Sequence, residues 1–245
     1  MGGRSFLKIV HTSPTRDSKE ALMRFTLSLM LILVLLLTTP LITKADTIFS
    51  TFGQLGDTYN TASPGGPGID GGARGGPGQQ VAASFTPDSD YLFDSADFAF
   101  VTNLSSGSDT FAVRLTTSDT GGLPNTTLES FSVSIPASIP AGSSPAIYTI
   151  SSALHPLLTS GETYWLWVLP YSAESWGAWF WNDQGFTGGY TTAAVLGSFL
   201  GVGTGTTPAF RAEGTPAPVP EPTTIFLLGC GLVGLAGFRR NFRRN

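Results

Sequence analysis

With 13 Lys and Arg against 17 Asp and Glu in 245 residues, the chain has a net charge of −4, but that charge is unevenly spread. Between Asp46 and Glu213 stand 14 acidic residues and only three basic ones, Arg74, Arg114 and Arg211; this acidic body repels phosphate, which excludes nucleic acid as a partner. Cys230 is the one cysteine, so no internal disulfide forms, and two histidines, His11 and His155, are too few for a multi-histidine zinc site.

Phe25 to Ile42 carries no charge, follows Arg24 and runs into Thr43-Lys44-Ala45, where small residues occupy the positions a signal peptidase reads. Pro40 breaks the apolar helix shortly before the cut. Residues 1–45 therefore read as a signal peptide, cleaved between Ala45 and Asp46. Met23 directly precedes Arg24 and offers an alternative start; a retained transmembrane helix is the competing reading. Removing this leader also removes His11.

From Asp46 the pattern changes to period two. In Asp109 to Thr116, Phe111, Val113 and Leu115 face one way while Thr110, Arg114 and Thr116 face the other. The same alternation predicts strands over Thr47 to Phe52, Gln80 to Phe85, Ser95 to Asn103, Leu128 to Ile135, Ala146 to Ser151, Thr163 to Leu169, Ala178 to Trp181, Val195 to Phe199 and Pro208 to Glu213. Turn chemistry separates them at Ser106 to Asp109, Asp119 to Gly122 and Thr187 to Gly189. Ser152 to Leu158 could form a helical turn. Many short strands with almost no helical periodicity predict an all-β domain over 46–214, a two-sheet antiparallel β-sandwich of jelly-roll type.

Residues 64–78 hold eight glycines and three prolines and read as a loop. Gly66-Pro67-Gly68-Ile69-Asp70-Gly71 spells GxGxxG, but a segment this rich in Gly and Pro opens no helix to hold a pyrophosphate. Glycine does not recur every third residue, which excludes collagen.

Beyond the body, a Pro-rich linker over 215–222 carries Val219-Pro220-Glu221-Pro222. An uncharged segment follows, Thr223 to Phe238, and then a basic tail over 239–245 with Arg239, Arg240, Arg243 and Arg244. As a helix, 16 residues span about 24 Å against a hydrocarbon core of about 30 Å. Gly229, Gly231, Gly234 and Gly237 weaken it further, so it reads as a temporary membrane stop. The arginines place the C-terminus in the cytoplasm and the body outside. These three parts in order resemble the PEP-CTERM sorting signal of Gram-negative bacteria. That resemblance implies recognition and cutting by exosortase, a membrane-embedded transpeptidase. It further implies passage through the inner membrane to the cell surface or extracellular matrix, and a link to exopolysaccharide and biofilm.

The body in turn resembles the choice-of-anchor R domain, a bacterial surface module. The matching pieces are Gln80 to Pro87, Ser118 to Pro124, Leu157 to Leu166 and Thr207 to Arg211. They are turns and core strands, so the resemblance implies fold and surface display and lends no catalytic residue.

Within the body, His155 precedes Pro156 without a nucleophile elbow and reads as a loop histidine. Asp88, Asp90, Asp94 and Asp97 offer hard oxygen ligands for Ca²⁺ without an EF-hand spacing, against the plainer reading of solvated loop acids. Glu162, Glu174 and Asp183 supply carboxylates in number but without a geometry for glycoside hydrolysis. The five tryptophans lie between Trp165 and Trp181. By alternation Trp165 and Trp167 share a face, as do Trp179 and Trp181 on the next strand, and coinciding faces would make one aromatic slab. Turned inward, that slab is core. Turned outward, Trp176 and Trp179 beside Asn182 and Asp183 would form a sugar-stacking platform. Trp165 and Trp167 are expected in the core, and Trp176 is the most exposed candidate.

The expectation is thus a non-enzymatic, exported β-sandwich needing no cofactor, with signal peptidase, exosortase and extracellular polysaccharide as partners. A carbohydrate-binding module is the alternative. Ice binding fits poorly, because Thr116-Thr117, Thr126-Thr127 and Thr191-Thr192 follow no fixed period.

Overall fold

The computed structural model describes residues 45–53, 56–61, 65–73, 76–102, 108–136, 146–194, 199, 203–218 and 229. The signal helix, the Val219 to Pro222 motif, the terminal arginines and, apart from Phe199, the predicted strand over Val195 to Phe199 lie outside these residues, as does all of the apolar tag segment but Gly229. The described body is all-β, as the alternation predicts.

One sheet has the order β12-β11-β3-β9-β5-β6: β3 (Gln80–Phe85), β5 (Ser108–Ser118), β6 (Pro124–Pro136), β9 (Tyr164–Pro170), β11 (Thr187–Ala193) and β12 (Gly203–Thr206). We call it the second sheet. The first sheet is built around β4 (Tyr91–Thr102). Phe98 pairs with Tyr148 of β7 (Ala146–Ser151) on one side and with Phe210 of β13 (Phe210–Pro216) on the other. Phe100 pairs with Ala146 of β7 and with Trp179 of β10 (Trp176–Trp179). β10 therefore continues the column that β13 leaves. β8 (Leu157–Leu158) extends the column of β7, while β1 (Asp46–Ser50) pairs with β13 and β2 (Gly68–Asp70) with β10. All these pairings are antiparallel. Where β10 and β13 meet, Ala99 N–H donates to Ala209 O at 3.1 Å, Phe180 N–H to Ala99 O at 2.9 Å and Ala209 N–H to Phe180 O at 2.7 Å, so the break leaves these backbone groups paired.

The core lies between the sheets. Phe93, Phe98, Phe100, Trp179 and Phe210 face Val81, Phe85, Phe111, Leu115, Leu166 and Val168, each fully buried side chain contributing roughly 1.5–3 kcal/mol. Phe93 joins Ala96 and Phe98 on this inner face only because β4 carries a bulge. Ser95 pairs with Glu213 and Phe93 with Gly214, leaving Asp94 as the extra residue that reverses the alternation.

Four strands, β2, β8, β11 and β12, depart from the sequence expectation. β2 forms inside the glycine-rich segment because Ile69 is fully buried against β10. The glycines there serve close approach: a side chain at Gly66 would place its Cβ 1.8 Å from Trp179 O. Thr187 to Gly189, expected as a turn, belongs to β11 and pairs with Thr204 to Thr206 of β12. The bare Gly203 and Gly205 of β12 leave room for the Tyr190 ring, which stands edge-on to Trp181 at 5.4 Å. Ser152 to Leu158 forms no helical turn and ends instead in β8.

Candidate functional site

The tryptophans do not make a slab. Alternation along β9 is as predicted, but β9 and β10 lie in different sheets, because the chain crosses the sandwich after Pro170. Tyr164, Leu166 and Val168 face the core, which turns Trp165 and Trp167 onto the outer face of the second sheet. Burial of Trp165 is as expected, while the core assignment of Trp167 is corrected accordingly. Trp165 is nonetheless buried and donates from Nε1 to Ser118 Oγ at 3.3 Å. Trp167 is half-buried, donates to Gln80 Oε1 at 3.2 Å and meets Phe199 edge-on at 5.1 Å. The Arg114 guanidinium lies 4.9 Å from its ring centroid, a cation–π contact. No carboxylate pairs with Arg114 among the described residues.

The platform of Trp176, Trp179, Asn182 and Asp183 is not assembled. Trp179 is 0% exposed, packs edge-on to Phe98 and Phe210, and donates from Nε1 to Ala209 O at 3.0 Å. Asn182 is buried, with Nδ2 donating to Phe186 O and Thr207 O and Oδ1 accepting from Gln184 and Phe186 N–H. Its amide organises the loop and has no hand left for a sugar. Trp176 is half-buried, its backbone N–H held by Asp109 Oδ2 at 2.8 Å. Asp183 is exposed and bonds with Thr58 and Gln184.

Nor do the four aspartates converge. Asp88 accepts from Tyr91 Oη at 3.4 Å, and Asp90 caps Ser160 N–H at 2.8 Å. Asp94 and Asp97 are strand residues of β4, not loop acids. Asp97 is bound by Thr149 and Arg211, while Asp94 accepts from Thr215 Oγ1 at 2.7 Å and meets His155 Nδ1 at 2.9 Å. Among the described residues no group of three or more His, Cys, Asp or Glu side chains is placed to hold a metal ion.

The sequence reading missed a tied loop around His155. His155 adopts φ 45°, an uncommon conformation for a non-glycine residue. The buried Glu129 carboxylate accepts from Ser152 Oγ at 2.5 Å and from Ala153 N–H at 2.8 Å, while Ser152 Oγ accepts from His155 N–H at 2.8 Å. Ser152 thus donates to a carboxylate rather than to the imidazole. A lone Glu in an alternating strand gives no sign that it will cap a loop more than twenty residues away.

Both ends of the body emerge together. Asp46 pairs with Gly214, and Ala217 N–H donates to Asp90 O at 2.9 Å, two residues after β13 pairs Thr215 with Leu92. No helix among the described residues is long and apolar enough to cross a membrane. No curated protein matches the chain. Residues 218–241 match the PEP-CTERM protein-sorting motif, which begins directly after Ala217, and the chain is accordingly an exosortase-targeted exported protein.

Proposed function

We propose that this is a non-enzymatic β-sandwich of the choice-of-anchor R type, cut by exosortase and displayed at the surface or in the polysaccharide matrix of a Gram-negative bacterium. The observation that carries this reading is the sorting motif over 218–241 joined without a further domain to the last strand of an all-β body. The tied loop supports a non-enzymatic role, since its serine and histidine are each engaged with a separate carboxylate. Cell fractionation with and without the exosortase gene tests it: the body should reach the surface or matrix only when the enzyme is present. Retention in the membrane in both strains would oppose it.

A second reading, carbohydrate binding, is favoured by Trp167. Its half-buried indole lies on the outside of the second sheet with the Arg114 guanidinium over its ring, an apolar surface beside a cationic donor. Trp167→Ala should then lose retention on the organism's own exopolysaccharide while staying folded.

A further inference from the structure

The body lies very close to its own sorting motif. Ala217 is fixed to Asp90 by its backbone N–H. Three residues on is Pro220, within about 10 Å of reach, and six residues on is Thr223, within about 20 Å. Thr223 opens the apolar segment that crosses the membrane before cutting. The first strand of the body starts at the same end, where Asp46 is paired beside Gly214. The end of the sandwich that carries Asp46, Ser89, Ser160 and Pro216 is thereby tethered within this reach of the sorting motif.

We propose that this end of the sandwich is a docking surface for the outward face of the membrane-embedded processing enzyme. The proposal rests on the sorting reading above and adds to it which part of the body the enzyme touches. Tether length carries it: the motif cannot enter a site at the membrane without bringing this end of the body against whatever surrounds that site. The charge of the end selects protein over lipid as the partner. Asp46, Asp88 and Asp90 are exposed there, and Tyr91, beside them, has its phenol held protonated by burial and by the negative field of Asp88 and Asp46. Such a surface is repelled by anionic headgroups within a Debye length of about 10 Å, whereas basic side chains on the enzyme would complement it.

The test is site-specific photo-crosslinking of the full-length precursor in membranes containing the enzyme. One probe replaces Ser89 at the docking end. The control replaces Glu174 at the opposite end, separated from it by the length of β9, about 23 Å. Both positions are exposed. Ser89 should crosslink to the enzyme and Glu174 should not; a long Gly/Ser spacer inserted after Pro218 should abolish the Ser89 adduct while the motif is still cut. Equal adducts from both ends, a Ser89 adduct that survives the spacer, or lipid adducts alone would overturn the proposal. A wild-type chain that stays uncut in these membranes is a different result: it overturns the sorting reading, and the docking proposal with it.

Discussion

Arg211 and Asp97 are cross-strand partners of β13 and β4, and the guanidinium Nη2 donates to the carboxylate Oδ2 at 2.5 Å. The row continues on both sides. Thr149 of β7 donates to the other oxygen of Asp97, Asp57 accepts from Nη1 at 2.7 Å, and Glu213 lies 3.1 Å from Nε as an ion pair outside hydrogen-bond geometry. One arginine thus joins β13, β4 and the loop after β1. Burial lowers its proton affinity, but the Asp97 hydrogen bond and the three carboxylate charges more than compensate, so its pKa rises above the ordinary guanidinium value and it stays charged.

Removing that cation should be costly. Arg211→Ala leaves Asp97, only 10% exposed in its side chain, without its counter-charge. Breaking a buried pair costs about 3–5 kcal/mol; with the guanidinium 23% exposed, solvent should reduce this to about 2–4 kcal/mol. Urea unfolding of Arg211→Ala, Asp97→Ala and the double variant should show coupling of about 1–3 kcal/mol. Additive losses would show that the two side chains act independently.

Stability should fall at high pH through tyrosines. Tyr59 and Tyr148 have raised pKa values because burial disfavours the phenolate, and Tyr91 is raised first by burial and then by Asp88 and Asp46. The folded state holds these protons more tightly than the unfolded one. Their contribution is therefore complete below pH 10.0, the ordinary value, and is lost as pH rises through the higher folded values. Tyrosinate absorbance should show late titration that moves earlier for Tyr91 in Asp88→Asn. No movement would show that the field of Asp88 does not reach the phenol.

Trp179 and Trp176 should respond differently although both lie on β10. Trp179→Ala empties a fully buried site and removes one of the two donors to Ala209 O, a loss of about 3–5 kcal/mol by thermal or urea unfolding. Trp176→Ala, half-buried and held by its backbone, should cost well under half of that. Equal losses would contradict this placement.

Glu129→Ala should loosen one loop. It leaves the N–H groups of Ala153 and Leu154 and the Ser152 hydroxyl without their acceptor, a cost of about 2–3 kcal/mol. Hydrogen exchange should accelerate at Ala153 and Leu154 and stay unchanged in β9. Uniform acceleration would instead mean global destabilisation.

The inward set of β5, Phe111, Val113 and Leu115, was legible because it rests on strict alternation within one strand, and it is buried as expected. β4 was legible only from Ser95 onward. The Asp94 bulge reverses the pattern there, and a bulge depends on the partner strand's register, which a single strand's sequence does not carry. Trp167 was assigned to the core although it is half-buried on the outer face, and Trp179 was left open between core and platform, for a similar reason: alternation says which residues share a face, not which sheet the next strand joins. Asn182 looked free because an amide's partners lie in the loop geometry. The sorting motif was fully legible, since its three parts are contiguous in the chain.

The central claim is that the body is released from both of its apolar flanks. Intact-mass measurement with N-terminal sequencing of surface material tests it most directly. The mature chain should begin at Asp46 and end between Val219 and Pro222, lacking Cys230 and the terminal arginines, while Glu221→Ala should accumulate uncut in the inner membrane. A surface form whose mass still includes residues 223–245 would contradict the account.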